Sequence, residues 1–178
     1  MKLIILDRDG VINQDSDDYI KSPEEWVPIP GSLQAIADLN QSGYRVVIAS
    51  NQSGLARGLF DIDALNAIHR KMQHELGRIG GHIDGIFFCP HGPKAHCNCR
   101  KPKPGLLFQA SQRFFCDPSA ILSIGDSLRD LQAAESFGVK HILVLTGNGI
   151  KTRSEISTRE DVPIHADLYV AVQDLLSN

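Results

Sequence analysis

Four short runs of consecutive apolar, β-prone residues punctuate the chain, at Leu3–Leu6, Tyr44–Ala49, Ile83–Phe88 and Ile121–Ile124, with a fifth at Ile142–Leu145. Their apolar character is too continuous to leave one face in water, so each reads as a strand buried on both faces. Between them the period changes. Leu65, Ile68, Met72, Leu76 and Ile79 recur at helical spacing and fall on one face of a helix. Leu33–Asn40, Leu106–Phe115, Leu128–Phe137 and a segment around Leu168–Leu176 read the same way, whereas Gly147–Pro163 reads as a loop before the last helix. Strand and helix in alternation predict right-handed crossovers and an α/β fold: a Rossmann-like, mostly parallel sheet with helices on both faces. No repeat, low-complexity tract or linker interrupts the pattern, and a single domain over residues 1–178 is expected.

In sheets of this kind functional groups collect beyond the carboxyl ends of the strands, near the point where strand order reverses. That rule selects residues. Asp7 and Asp9 follow the first predicted strand, Ser50 and Asn51 the second, Cys89 and His91 the third, and Asp126 the fourth. Two carboxylates two residues apart, in Asp7-Arg8-Asp9-Gly10, can face one reacting centre if the chain turns at Gly10. Alone, such a pair reads by default as two acids in a solvated strand-end loop, and the partners that follow reverse that reading.

Cys89-Pro90-His91 followed by Cys97-Asn98-Cys99 offers three thiolates and an imidazole in one short loop, a donor set suited to tetrahedral Zn²⁺. Four protein ligands leave no open position, so this metal is expected to be structural, fixing the loop and the Arg100 and Lys101 that follow. His96 is a weaker substitute ligand beside Cys97. Reduced, unpaired cysteines are the plain alternative, and Cys116, beside Phe114 and Phe115, reads as core packing.

Composition narrows the classes. With 42% hydrophobic and 22% charged residues the chain is an ordinary globular one, and it needs no disulfides. A net charge of -3 supplies no basic field for a nucleic-acid backbone. No apolar run approaches the ~20 residues that span a bilayer, and the start of the chain lacks a signal-peptide pattern. The expectation is a cytoplasmic monomer with a small-molecule substrate, without nucleic-acid or membrane partners, in a compartment where cysteines stay reduced.

Taken in order, Asp7-Arg8-Asp9-Gly10-Val11-Ile12-Asn13, Ser50-Asn51-Gln52-Ser53-Gly54, Lys101 within Cys99-Arg100-Lys101-Pro102, and Gly125-Asp126-Ser127-Leu128-Arg129-Asp130 resemble the four motifs of the haloacid dehalogenase-like phosphatases. The resemblance runs over roughly residues 1–145 and implies a mechanism. Asp7 would attack phosphorus to form an aspartyl-phosphate, and Asp9 would protonate the leaving group and then activate water. Mg²⁺ would sit on the Asp7 and Asp126 carboxylates and the Asp9 carbonyl, with Asp130 behind them. Ser50, the amides after it and Lys101 would hold the phosphoryl oxygens. Neither gap between motifs has room for a separate cap domain, so loops must select the substrate.

Within that superfamily, Gln52-Ser53-Gly54-Leu55-Ala56-Arg57-Gly58, the Cys-x-His loop and Cys99-Arg100-Lys101-Pro102-Lys103-Pro104-Gly105 resemble the phosphatases of D-glycero-D-manno-heptose 1,7-bisphosphate, which supply nucleotide-activated heptose for lipopolysaccharide. The resemblance implies substrate contacts at Arg8, Asp15, Tyr19, Asn51, Gln52, Ser53 and Arg100. Histidinol-phosphate phosphatases are the alternative, since Asp15, Asp17 and Asp18 can receive an ammonium. A non-catalytic zinc-stabilised module is the remote one, and the presence of Asp7, Asp9, Lys101 and Asp126 argues against it.

Overall fold

The structure, a computed structural model, describes residues 2–177. Six parallel strands form one sheet: β1 (Leu3–Leu6), β2 (Arg45–Asn51), β3 (Gly85–Cys89), β4 (Ile121–Gly125), β5 (Lys140–Val144) and β6 (Ile164–His165). They lie in the order β3-β2-β1-β4-β5-β6, so strand order reverses between β1 and β4.

Successive side chains of β1 point to opposite faces and build two cores. Ile4 and Leu6 meet α1 (Ser32–Gln41), α2 (Ile62–Gly77) and α6 (Leu168–Ser177) through Ile36, Ile68 and Leu168. Leu3 and Ile5 meet α3 (Gly105–Phe114) and α4 (Leu128–Phe137) through Leu106, Ala110 and Ala133. All four β1 side chains are buried, and each contributes about 1.5–3 kcal/mol by leaving water. Burial on both faces explains why the strands read as unbroken apolar runs.

Two elements depart from the sequence reading. The stretch expected as a loop contains α5 (Gly149–Glu155) and is followed directly by β6, and its Ile156 and Val162 pack against Leu131 of α4 and Leu143 of β5. A seven-residue helix and a two-residue strand are too short to show a period. Ile79 does not extend the apolar face of α2. The helix stops at Gly77, Gly80 takes a positive φ of 80°, and the Gly81 N–H returns to the Leu76 carbonyl at 2.9 Å, leaving Ile79 exposed.

The long connection from β1 to α1 is not a loose loop. Val11, Ile12, Ile20, Trp26 and Ile29 are buried, and the Ile12 carbonyl accepts from Ile29 N–H (2.9 Å) and Ser32 Oγ–H (2.6 Å). It stands where a cap insertion would have to begin, and the other inter-motif gap is taken up by α2, β3 and the cysteine loop. No helix among the described residues is long and apolar enough to cross a membrane.

Candidate active site

The reversal of strand order opens a crevice at the carboxyl ends of β1 and β4, and the acidic residues of both meet there. Asp7, Asp126 and Asp130 each bring a carboxylate oxygen within 4.8 Å of the others. One cation of the protein stands among them. Lys101, only 4% exposed, donates to Asp130 Oδ1 (2.6 Å), to Asp7 Oδ2 (3.1 Å) and to the Ala49 carbonyl (2.7 Å). The closest contact is to Asp130, so Asp7 receives the weaker share.

Electrostatics follow from that division. Burial, only partly offset by Lys101 and reinforced by Asp130, Asp126 and Asp9, pushes the Asp7 carboxyl up to about 8. Burial and Asp130 raise Asp126 to about 6. Asp130 moves the other way: its burial is outweighed by the Lys101 charge and hydrogen bond and by Ser127, which hold it below the ordinary carboxylate value. For Asp9, burial is outweighed by the charge and hydrogen bonds of Arg8 and those of Asn13 and Gln52, so it too is held low.

The donor set fits a hard cation, which takes oxygen ligands. Asp126 Oδ2 accepts from Asn148 N–H at 2.7 Å, while Asp126 Oδ1 takes no hydrogen bond among the described residues. Asp130 is committed elsewhere, to Lys101 through Oδ1 and to the Ser127 N–H (3.0 Å) and hydroxyl (2.6 Å) through Oδ2. It therefore stands behind Asp7 and Asp126, and with Ser127 it forms the capping box of α4. Gly10 (φ 83°) and Gly147 (φ 55°) wall the other side, since a methyl group on either would fall 2.3 or 2.2 Å from Asp126 Oδ2.

A pH dependence follows. A carboxyl raised from 3.8 to about 8 is one the unliganded fold keeps protonated; its stabilising effect is complete below pH 3.8 and is lost as pH rises through about 8. A cation must displace that proton. Mg²⁺ affinity measured by calorimetry is therefore expected to rise about tenfold from pH 6 to pH 7, and a flat profile would remove Asp7 as a ligand.

The cleft, of about 370 Å³, is lined by Asp7, Asp9, Asp15, Tyr19, Ser50, Asn51, Ser53, Arg100, Lys101 and Asp126, all singled out in the sequence. Two predicted substrate contacts are not on its wall. Arg8 is fully buried and turned inward, its Nε and Nη2 donating to Asp9 Oδ1 (2.8 Å) and Oδ2 (3.1 Å). Gln52 is buried as well, donating through Nε2 to Ser50 Oγ (2.8 Å) and Asp9 Oδ2 (3.3 Å). Both hold catalytic candidates instead of facing a ligand. Asn51 lines the cleft, but its amide is spent on Lys101, donating to the Lys101 carbonyl and accepting from its N–H, each at 3.0 Å.

Sequence reasoning missed Arg57, Arg129 and Asn148, which complete the cleft. Arg57 lies over the Tyr19 ring at 5.8 Å, and Asn148 bridges Asp15 (3.1 Å) to Asp126 (3.3 Å). Arg57 and Arg129 lie inside the very motifs quoted, and Asn148 follows β5, a strand end that the carboxyl-edge rule marks.

Above the cleft the cysteine loop converges. Cys89 Sγ lies 3.2 Å from Cys99 Sγ, 3.8 Å from Cys97 Sγ and 3.5 Å from His91 Nδ1, and His91 Nδ1 lies 3.3 Å from Cys99 Sγ. A zinc tetrahedron with bonds of about 2.0–2.3 Å has edges of about 3.3–3.8 Å. The four donors therefore fit one zinc ion, and the four free cysteines form no disulfide. Cys116 is buried, as read.

Paired acids at a strand end, a buried lysine between carboxylates and a donor set fit for a hard cation at a Rossmann-type switch point define a phosphatase of the haloacid dehalogenase-like class. The models of two families agree, "HAD-hydrolase-like" over residues 98–172 and "Polynucleotide kinase 3 phosphatase" over residues 2–129. The chain is 54% identical over 176 residues to the D-glycero-beta-D-manno-heptose-1,7-bisphosphate 7-phosphatase of Bordetella bronchiseptica, covering 99% of this chain and 98% of that one. It is 49% identical over 174 residues to the enzyme of the same name from Neisseria meningitidis, covering 98% and 92%. The crystal structure of D,D-heptose 1,7-bisphosphate phosphatase from B. bronchiseptica, complexed with magnesium and phosphate, superposes with a TM-score of 0.96 over 99% of each chain at 54% identity. The chain belongs to the D-glycero-beta-D-manno-heptose-1,7-bisphosphate 7-phosphatase family.

Proposed function

We propose that this chain removes the 7-phosphate of D-glycero-β-D-manno-heptose 1,7-bisphosphate through an aspartyl-phosphate on Asp7, with Mg²⁺ as cofactor. The observation that carries the reading is the arrangement of Asp7, Asp126 and Lys101 at one end of a cleft whose other walls carry Arg57, Arg100 and Arg129. None of these three guanidiniums makes an ion pair among the described residues. A substrate with a second phosphate supplies the missing anion, and planar guanidinium is the group suited to grip it. Histidinol phosphate could place its ammonium near Asp15 and Asp17 on the same cleft but would leave the three guanidiniums without an anion, which favours the bisphosphate.

Each side chain then has a task. An Asp7 oxygen attacks phosphorus while the bond to the sugar oxygen breaks, and Asp9 gives that oxygen a proton. Asp9 next takes a proton from the water that opens the aspartyl-phosphate, returning Asp7 as a carboxylate. Ser50 and Lys101 hold the non-bridging oxygens. Asp7, Asp126 and the Asp9 carbonyl would hold Mg²⁺, which would supply the charge that lets an anionic nucleophile approach a phosphate. Asp130 keeps Lys101 in line, and Tyr19, Asp15 and Ser53 border the sugar.

Parallel assays of phosphate release, with Mg²⁺ present, from heptose 1,7-bisphosphate and histidinol phosphate test the assignment. The bisphosphate is expected to lead in kcat/KM by about a hundredfold or more, with heptose 1-phosphate as product. Preference for histidinol phosphate would overturn the substrate and leave the chemistry standing.

The same reading makes the cysteine loop a structural Zn²⁺ site that fixes Arg100 and Lys101, and the protein a cytoplasmic monomer. Elemental analysis is expected to find about one zinc per chain, and Cys99→Ala to lose it together with activity. Full activity in metal-stripped Cys99→Ala would refute the role.

A further inference from the structure

Beneath Asp9 lies a buried pair that this chemistry has not used. The Arg8 side chain is wholly buried, and its one ion-pair partner among the described residues is Asp9. Its remaining terminal nitrogen, Nη1, points away from Asp9 and meets His69 Nε2 at 3.3 Å. His69 projects from α2 among Leu65, Ile68 and Met72, a helix face on which an aliphatic side chain would be the simpler filler. Burying an imidazole there is unfavourable unless it is hydrogen-bonded, and Arg8 supplies the bond. Burial and the Arg8 charge push His69 down to about 4, so the ring is neutral and Nε2 accepts from the guanidinium, with the ring proton on Nδ1.

We propose that His69 acts through Arg8 as a positioning residue, fixing the Asp9 carboxylate in the plane from which it delivers a proton to the leaving oxygen. The inference rests on the reading of Asp9 as general acid. Two parallel N–H···O bonds from Arg8 fix the carboxylate plane, and Asn13 Nδ2 (2.9 Å, to Oδ1) and Gln52 Nε2 (3.3 Å, to Oδ2) close its edges. A guanidinium held only at its carboxylate side can pivot; the His69 contact removes that freedom.

The test uses leaving groups. An alkoxide needs Asp9's proton, whereas p-nitrophenolate departs without one, so kcat/KM, which reports the steps through the first phosphoryl transfer, separates aim from folding. For His69→Phe, kcat/KM toward heptose 1,7-bisphosphate is expected to fall about tenfold to a hundredfold, and toward p-nitrophenyl phosphate by no more than about twofold. His69→Gln, whose amide oxygen can accept from Nη1, is expected to recover most of the loss. Equal losses on both esters in His69→Phe and His69→Gln, or no loss on either, would overturn the proposal. Asp9→Asn run alongside separates the two readings. A split there without one in His69→Phe removes only the part assigned to His69, and no split in Asp9→Asn removes the general acid itself.

Discussion

Asp7→Asn is expected to lower kcat by about 10⁴-fold or more while leaving the fold as stable as before or slightly more so. The activity loss follows from removing the attacking oxygen's charge at the point where a covalent bond to phosphorus must form. The stability result follows from the site's electrostatics. Asp7 is half-buried and crowded by Asp126, Asp130 and Asp9, and without a cation the fold already favours its neutral form. An amide of the same shape relieves that crowding. Quenched-flow trapping of phosphoenzyme and a thermal melt together check the claim. Phosphoenzyme in the variant, or activity within about a hundredfold of wild type, would exclude Asp7 as nucleophile.

Lys101→Met carries the second largest effect and, unlike the first, should damage stability as well as turnover. The ammonium satisfies Asp130, Asp7 and the Ala49 carbonyl from an almost fully buried position. Removing it leaves the buried Asp130 carboxylate without its cation beside Asp7, at a cost of about 3–5 kcal/mol. For a chain of this size that lowers Tm by roughly 6–20 °C at neutral pH. The sign with pH is definite. Asp130 is held low chiefly by Lys101, which outweighs its burial, and in the variant that support is gone, so protonation relieves the fold as pH falls. The Tm gap to wild type should therefore narrow between pH 8 and pH 5. A gap that widens on acidification would mean that Lys101 is not the partner that keeps Asp130 charged.

Much of this site can be read in the sequence because its residues sit at the ends of apolar runs. Asp7, Ser50, Lys101 and Asp126 are polar groups placed where a buried strand stops, and the carboxyl-edge rule brings them together without any knowledge of pairing. Cys89, His91, Cys97 and Cys99 announce themselves by residue type. What escapes is of two kinds. Arg8 and Gln52 lie beside catalytic positions and are taken for substrate contacts, because spacing along the chain does not say which side chains turn inward after a strand ends. His69 escapes because one polar residue on a helix face changes no period. The helix within residues 147–163 and the strand just after them escape because seven helical residues and two strand residues hold too few positions for alternation to show, although Asn148 in that stretch is what orients Asp126.

The glycines at 10 and 147 carry a last consequence. Each presents main chain to Asp126 Oδ2, with no side chain between. A wall of rotamers can yield to a larger occupant by turning a torsion, but a wall of backbone yields only if two loops separate, and Thr146 Oγ1–H bonded to the Gly10 carbonyl at 2.6 Å ties those loops together. The Asp126 carboxylate is thus held along its Oδ2 side by main chain and by the Asn148 amide, so its other oxygen keeps its place without relying on the rotamer of any neighbouring side chain.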